Sequence, residues 1–296
     1  MKECILAIDA GGTFFKYALI SLNGELLTEV YKIPVNSGGT AKEILGCYHK
    51  LIVHARSLSD GITGIGISTP GPFDYESGTG YMQQKFQALY GQPLRPKLTE
   101  FFGRQLPIWF CPDTGAFLAG EYAYGAGKGY RNVIGITIGT GVGIAVIADG
   151  KLLMNEKKGP AEKIYCIPCK DGILEDYVSG RGIADYYFRL TGLQETQITA
   201  KEIHERAGKD EQARRTFEEI GDLLGSALKQ VVKKYQTQAV IVGGQVANAF
   251  AYMEKGIIRG LDGAACVVLK AEDIDAAAIQ GVLELKHRYF VMEGKG

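Results

Sequence analysis

The chain has 296 residues, 46% of them apolar, which is enough for two lobes of ordinary domain size with a core each. Its 33 basic and 33 acidic residues cancel, so no broad field draws nucleic acid, an anionic membrane or a strongly charged partner, and any phosphate site has to be local. The opening MKECILAIDAGG has no signal-peptide pattern, and the uncharged run Val133 to Ala148 is too short and glycine-broken for a membrane span, so a soluble cytoplasmic protein is expected.

From Ile5, ILAIDAGGTFFKYALISLNGELL reads as an apolar strand, a Gly/Thr turn, a second strand, an Asn-Gly hairpin signal and a third strand. Ala41 to Leu58 follows as a helix, GITGIGIST as a buried strand, PIWF as another, and Asp113 to Tyr124 as a helix. From Val133, VIGITIGTGVGIAVIADGKLL repeats the opening plan, with Asp149-Gly150 in the place of Asn23-Gly24. A repeat at so long a spacing is no solenoid and implies two duplicated lobes. The second continues with a helix over Ser179 to Leu190 and a long one within Asp210 to Tyr235. There Ile220, Leu223, Leu224, Ala227, Leu228, Val231 and Val232 form one core-facing stripe. QAVIVGGQVANAF supplies strand, Gly turn and helix, CVVL a strand, and Ala276 to Phe290 a closing helix. The fold class is α/β with mixed sheets. The expected lobes are 1–114, with helix 276–296 packed on it, and 115–275, packed together around a central cleft.

Glycine turns after buried strands let backbone N–H groups converge on a phosphate, because no side chain blocks the approach. Gly11, Gly12 and Thr13 form one such turn; Gly139, Thr140, Gly141 and Gly143 form another. Each alone also reads as a tight hairpin, but two at matching positions of duplicated lobes could grip a polyphosphate. A third turn, at Gly243 and Gly244, suits a nucleoside or ribose. Neither GxxxxGK[ST] nor GxGxxG is present, so the implied ligand is ATP on another architecture. Asp9, at a strand end before the first turn, is an acid that would be costly to bury without a cation or donors, and water-mediated Mg²⁺ is its obvious use. Lys16 reads as a surface lysine or a phosphate partner. Asp113 reads as a helix N-cap or as a catalytic acid.

In combination these motifs resemble the ROK family (repressor, open reading frame, kinase) of the hexokinase and actin-like ATPase superfamily. DAGGT resembles its first phosphate motif, IGTGVG its second, STPGPFD its sugar loop, DTGAFLAGE its catalytic-acid helix and IVGGQVAN its adenosine motif. The resemblance implies two RNase H-like lobes, ATP and Mg²⁺, and glucokinase-like transfer of the γ-phosphoryl group to a sugar hydroxyl, the 6-hydroxyl being the expected acceptor. It implies Asp113 as general base, ionised beside the positive end of its helix dipole. Ser68, Pro70, Gly71, Glu162 and Glu175 are implied as sugar-binding residues, and a homodimer or higher oligomer as the assembly. Family repressors carry a DNA-binding helix-turn-helix before the first phosphate motif, where this chain has almost nothing, so the kinase is expected over the repressor. A sugar-sensing regulator with little turnover is the alternative.

Two departures bear on the substrate. Family glucokinases place Asn before the catalytic Asp, and Pro112 stands there with no side chain to hydrogen-bond a sugar. The family's zinc segment, GExGH followed by CxCGxxGCxE, reads GPAEKIYCIPCKDGILEDYVSG. With Glu175 on the motif's last Glu, Tyr165 replaces the His, Pro168 and Ile173 replace two Cys, and only Cys166 is in register. One thiolate cannot make a four-ligand site, so no structural zinc is expected. Cys4, Cys47, Cys111, Cys166, Cys169 and Cys266 are expected as reduced thiols.

Overall fold

The computed structural model describes residues 2–193 and 198–290, the last four by backbone only. Apolar runs with no face left for water become central strands, and amphipathic or capped runs become helices around them. The first unit comprises β1 (Cys4–Ala10), β2 (Phe14–Ser21), β3 (Tyr31–Pro34), α1 (Ala41–Leu58), β4 (Ile62–Thr69), the short β5 (Phe73–Asp74) and β6 (Thr79–Gly80), α2 (Leu94–Phe102), β7 (Ile108–Pro112) and α3 (Asp113–Tyr124). α1 begins at a capping box: Thr40 accepts from the Glu43 N–H and the Glu43 carboxylate accepts from the Thr40 N–H.

The second unit comprises β8 (Val133–Ile138), β9 (Val142–Ala148), β10 (Lys151–Leu152), β11 (Pro168–Cys169), β12 (Gly172–Ile173), α4 (Gly180–Thr191), α5 (Ala200–Arg206), α6 (Glu211–Lys234), β13 (Ala239–Gly243), α7 (Phe250–Leu261) and β14 (Val267–Lys270). α8 (Ala277–Phe290) closes the described chain and belongs to the first unit.

The two sheets have one topology. Their strand orders are β3-β2-β1-β4-β7 and β10-β9-β8-β13-β14. In each, the first three strands form an antiparallel meander and the last two run parallel to its first strand. The expected hairpin signal at Asp149-Gly150 joins β9 to β10 as a two-residue loop with φ of 51° and 72°, the double positive φ that Asp-Gly tolerates. Each unit also packs one helix pair through glycines. A Cβ on Gly120 would lie 1.9 Å from the Ala277 carbonyl oxygen, and one on Gly256 would lie 1.9 Å from that of Glu218, so α3 meets α8 and α7 meets α6 backbone to backbone.

Contacts divide the chain into 1–124 with 154–160 and 275–296, and 125–153 with 161–274. The expected boundary between 114 and 115 falls inside α3, whose apolar faces belong to the first unit along its whole length. Residues 154–160 return to that unit as well. Of the expected closing span 276–296, residues 291–296 lie outside the described residues. No described helix is long and apolar enough to cross a membrane.

Candidate active site

In the first sheet the register sets Lys32, Lys16, Asp9, Ser68 and Cys111 side by side across the five strands. Residues in one lateral row share a face, and here their side chains meet. Ser68 Oγ donates to Asp9 Oδ1 at 2.8 Å, and Lys16 Nζ lies 3.9 Å from Asp9 Oδ2. Asp275, just before α8, accepts from Lys32 at 2.7 Å and pairs with Lys16 at 3.1 Å. Lysines opposite one another on neighbouring strands repel, and Asp275 between them offsets that repulsion. Burial alone would raise the Asp275 carboxyl, but the two lysines hold it below the ordinary range. Lys16 is not a surface lysine: its side chain is 14% exposed and its ammonium is shared by two carboxylates.

The first glycine turn lies directly beyond this row. The Gly11 N–H turns back to the Asp9 carbonyl at 3.2 Å, and the Thr13 carbonyl accepts from Val35. Pro70 and Gly71 continue from Ser68 at the end of β4. The segment MQQKFQALYG, 82–91, divides its residues between two tasks. Met82, Phe86 and Leu89 are buried in the core, while half-buried Lys85 brings its Cδ and Cε to 3.3 and 3.4 Å from where a Cβ on Gly12 would stand.

Asp113 is the first residue of α3, one step after the edge strand β7. The edge position explains Pro112, which removes one ladder donor that an edge strand can spare. The carboxylate accepts from the Thr114 N–H at 2.7 Å. It therefore satisfies a free amide of its own helix, as a cap does, from inside the first turn. Burial pushes its carboxyl up to about 6, and the neighbouring Asp9 charge adds to this. The Thr114 amide and the Lys85 ammonium oppose the rise. Desolvation thus outweighs the helix dipole that was expected to keep it low. A carboxyl at about 6 is still ionised at neutral pH and is a stronger base than an ordinary one.

In the second unit, the Gly139 N–H donates to the Gly141 carbonyl at 2.9 Å and the Gly139 carbonyl accepts from the Gly180 N–H at 2.7 Å. Thr140 is exposed at the tip, and Gly143 pairs with Thr137 in the β8–β9 ladder. Glu175 lies on this turn: its Oε2 accepts from the Val142 N–H at 3.0 Å, and a Cβ on Gly141 would be only 2.2 Å from it. Gly244 follows Gly243 at the end of β13 with φ of 79°, and a Cβ there would be 2.4 Å from the Ile138 carbonyl oxygen. The two turns are therefore neighbours, and only glycine fits between them.

Glu162, the other expected sugar-binding acid, accepts from Lys234 Nζ at 2.6 Å and from Tyr235 Oη at 2.5 Å. Burial would raise its carboxyl, but these donors hold it below the ordinary range. The segment between the two acids is a hairpin. Pro168 and Ile173, which replace two cysteines of the family's zinc segment, are direct cross-strand partners. Lys170, at its tip, stacks 4.4 Å from the Tyr186 ring centroid and 5.3 Å from that of Tyr177. All six cysteines are free thiols, and among the described residues no cluster of three or more His, Cys, Asp or Glu is placed to hold a metal ion.

The structure thus brings together Asp9, Lys16 and Ser68, sets Asp113 and the first turn within electrostatic reach of Lys85, and joins the second turn to Glu175. Glu162 and Glu175 have separate partners, Lys234 with Tyr235 and the Val142 N–H. Sequence reasoning missed Asp275 and Lys85. Lys85 stands three residues after Met82 and one before Phe86, a spacing that would put it on the same helical face as the apolar residues, so the pattern does not single it out. Nothing local marked Asp275.

The sequence profile of the ROK family matches residues 5–288. The chain is 30% identical over 271 residues to a glucokinase of Halalkalibacterium halodurans, covering 82% of this chain and 81% of that one. It is 25% identical over 272 residues to a glucokinase of Thermotoga maritima, covering 84% of each. The solved structure of a ROK family glucokinase from Streptomyces griseus in complex with glucose and AMPPNP matches with a TM-score of 0.81 at 26% identity, covering 95% of this chain and 98% of that one. The fold is the two-lobed α/β fold of the actin-like ATPases. With a match running from the first strand almost to the end of the last helix, the chain belongs to the ROK family.

Proposed function

We propose that the protein is an ATP-dependent sugar kinase that moves the γ-phosphoryl group to a hydroxyl of a hexose or hexose derivative, the 6-hydroxyl as in glucokinase chemistry, with Asp113 as general base. The observation that carries this reading is the position of Asp113: a half-buried carboxyl pushed up to about 6, beside a glycine turn and the Asp9–Ser68 pair. Asp113 orients the acceptor hydroxyl and takes its proton as the oxygen bonds to phosphorus. The amides of Gly11 to Thr13 and of Gly139 to Gly143 would each take phosphate oxygens, and Gly243 and Gly244 would lie against the nucleoside. Ser68, Pro70 and Gly71 would border the sugar. Asp9, a single carboxylate with one hydroxyl donor, suits Mg²⁺ held through its water shell, since that ion keeps waters and binds through one or two carboxylates plus phosphates. When bound it would neutralise charge on the phosphates.

The test is release of ADP from ATP with a panel of hexoses, amino sugars and β-glucosides. Turnover well above the sugar-free rate on at least one of them is expected. A regulatory reading is favoured by one feature, Glu175 on the Val142 N–H, where an internal carboxylate holds a donor that a phosphate oxygen would use. Binding of sugar and nucleotide with no ADP release on any sugar would support that reading over the kinase.

A further inference from the structure

In phosphoryl transfer the protein contributes position and positive charge, because charge spreads over the equatorial oxygens of the moving group. The lysine that the sequence offers beside the first turn is Lys16, read there as a surface lysine or a phosphate partner. In the structure the Lys16 ammonium is divided between Asp275 and Asp9, so its charge is spent within the first sheet. Among the described residues Lys85 makes no hydrogen bond or ion pair, and it lies where Lys16 does not.

Three contacts hold it there. Its side chain runs over Gly12, where the lack of a Cβ leaves room for the methylenes. Its neighbour Phe86 donates its N–H to the Ser37 carbonyl at 2.7 Å and packs its buried ring 5.9 Å from that of Phe15, at the start of β2. Phe86 does so at φ of 53°, a left-handed conformation that a bulky residue keeps only where its surroundings over-determine it. The strain fixes the direction of the chain at Lys85. The Lys85 charge also acts on Asp113, whose carboxyl it lowers.

We propose that Lys85 is a catalytic residue whose ammonium contacts the γ-phosphoryl group between the Gly11–Thr13 turn and Asp113. This rests on the kinase reading above. Lys85 forms no covalent bond and gives up no proton. It holds the phosphoryl oxygens as the bond to the β-phosphate oxygen breaks and the bond to the sugar oxygen forms, while the acceptor proton goes to Asp113.

The proposal makes a prediction about binding that needs no sugar. ADP lacks the group that Lys85 contacts, whereas AMPPNP has it. Titration of Lys85→Met should leave ADP affinity within about twofold of wild type and weaken AMPPNP about tenfold, the size of one lost hydrogen bond to a charged group. Retained ADP binding also shows that the variant is folded. Turnover on the best sugar should fall on the order of 10², as for loss of one donor to a developing oxyanion, with Lys85→Arg recovering part of it. If Lys85→Met binds AMPPNP and ADP as wild type does, or loses affinity for both equally, the proposal is overturned and the lysine merely packs on the turn. If it lowers affinity for the sugar and not for AMPPNP, Lys85 serves the acceptor and the proposal fails. Wild-type protein that binds neither nucleotide overturns the kinase reading itself, and this proposal with it.

Discussion

The turn at Gly11–Thr13 and the turn at Gly139–Gly143 follow equivalent strands, β1 and β8, of sheets with the same order. Their backbones offer amides in the same way, yet their neighbours are opposite in charge. Against the first lies the lysine ammonium of Lys85; against the second lies the carboxylate of Glu175. Both side chains come from segments outside the repeated strand plan, 82–91 and 161–178. Duplication supplied two sets of backbone donors, and the inserted segments made one ready for an anion and gave the other an anion already. On the proposed reading the base Asp113 and the unpaired Lys85 both accompany the first turn, which would put the chemistry in the first unit. A phosphate proposed for the second turn would have to replace the Glu175 carboxylate on the Val142 N–H.

The sharpest way to break this assignment is Asp113→Asn, which keeps the local hydrogen bond to the Thr114 amide but cannot take a proton. Turnover should drop at least on the order of 10² with ATP and sugar binding retained. Stability should move the other way. The carboxyl rises from 3.8 unfolded to about 6 folded, so between about pH 4 and 6 the folded chain keeps a proton that the unfolded chain releases, and stability falls as pH rises through that window. Asn carries no such cost, and at neutral pH the variant should gain up to about 3 kcal/mol in denaturant unfolding. Near-wild-type turnover would leave Asp113 a cap.

On the proposed mechanism the same group sets the acid limb of the rate profile. Turnover should decline about tenfold per pH unit below about 6, and Lys85→Met should move the limb upward, since it removes a charge that lowers Asp113. A limb near pH 4 in wild type would show that the carboxyl is better solvated than its burial implies.

The second turn is tested by a pair of variants. In Gly141→Val the new Cβ would meet Glu175 Oε2 at 2.2 Å, so the carboxylate is pushed off the Val142 amide and the turn is crowded at once. The obstacle is this contact, since Gly141 is not in the left-handed region. Nucleotide affinity should fall about tenfold, more than sugar affinity falls. Glu175→Ala removes the resident anion instead, and nucleotide should bind about threefold tighter while sugar binds more weakly. Unchanged nucleotide affinity in both variants would leave the turn a structural hairpin.

What could be read in advance follows from how local each cause is. α1, with its capping box, and the Asp149-Gly150 hairpin were legible because the deciding residues are within four positions of one another. The repeat was legible because it is a pattern in one dimension. α2 was not, since LRPKLTEFF carries Arg95, Pro96 and Lys97 in its first turn and shows its apolar face only as Leu94, Leu98 and Phe102. Pro96 is tolerated there because the first turn has free N–H groups in any case. Glu175 on the second turn and Asp275 between two lysines join residues far apart in sequence, so no local spacing announces them.

The smallest expected effect concerns the segment that carries Glu175 to its turn. In the family pattern a zinc ion would order this segment; here the Pro168–Ile173 pairing and the stack of Lys170 on Tyr177 and Tyr186 supply cross-links of their own. A hairpin of two residue pairs is marginal alone, and cation–π contacts at half-exposed sites contribute about 0.5–1 kcal/mol each, so the loop is held by several weak contacts in place of one strong site. Elemental analysis should find no stoichiometric zinc, and a strong chelator should leave the unfolding midpoint unchanged, whereas Lys170→Ala should lower stability by about 1 kcal/mol. One zinc per chain that is lost on replacing Cys166 or Cys169 would show that the thiols, and not the hairpin, organise the approach of Glu175 to the second turn.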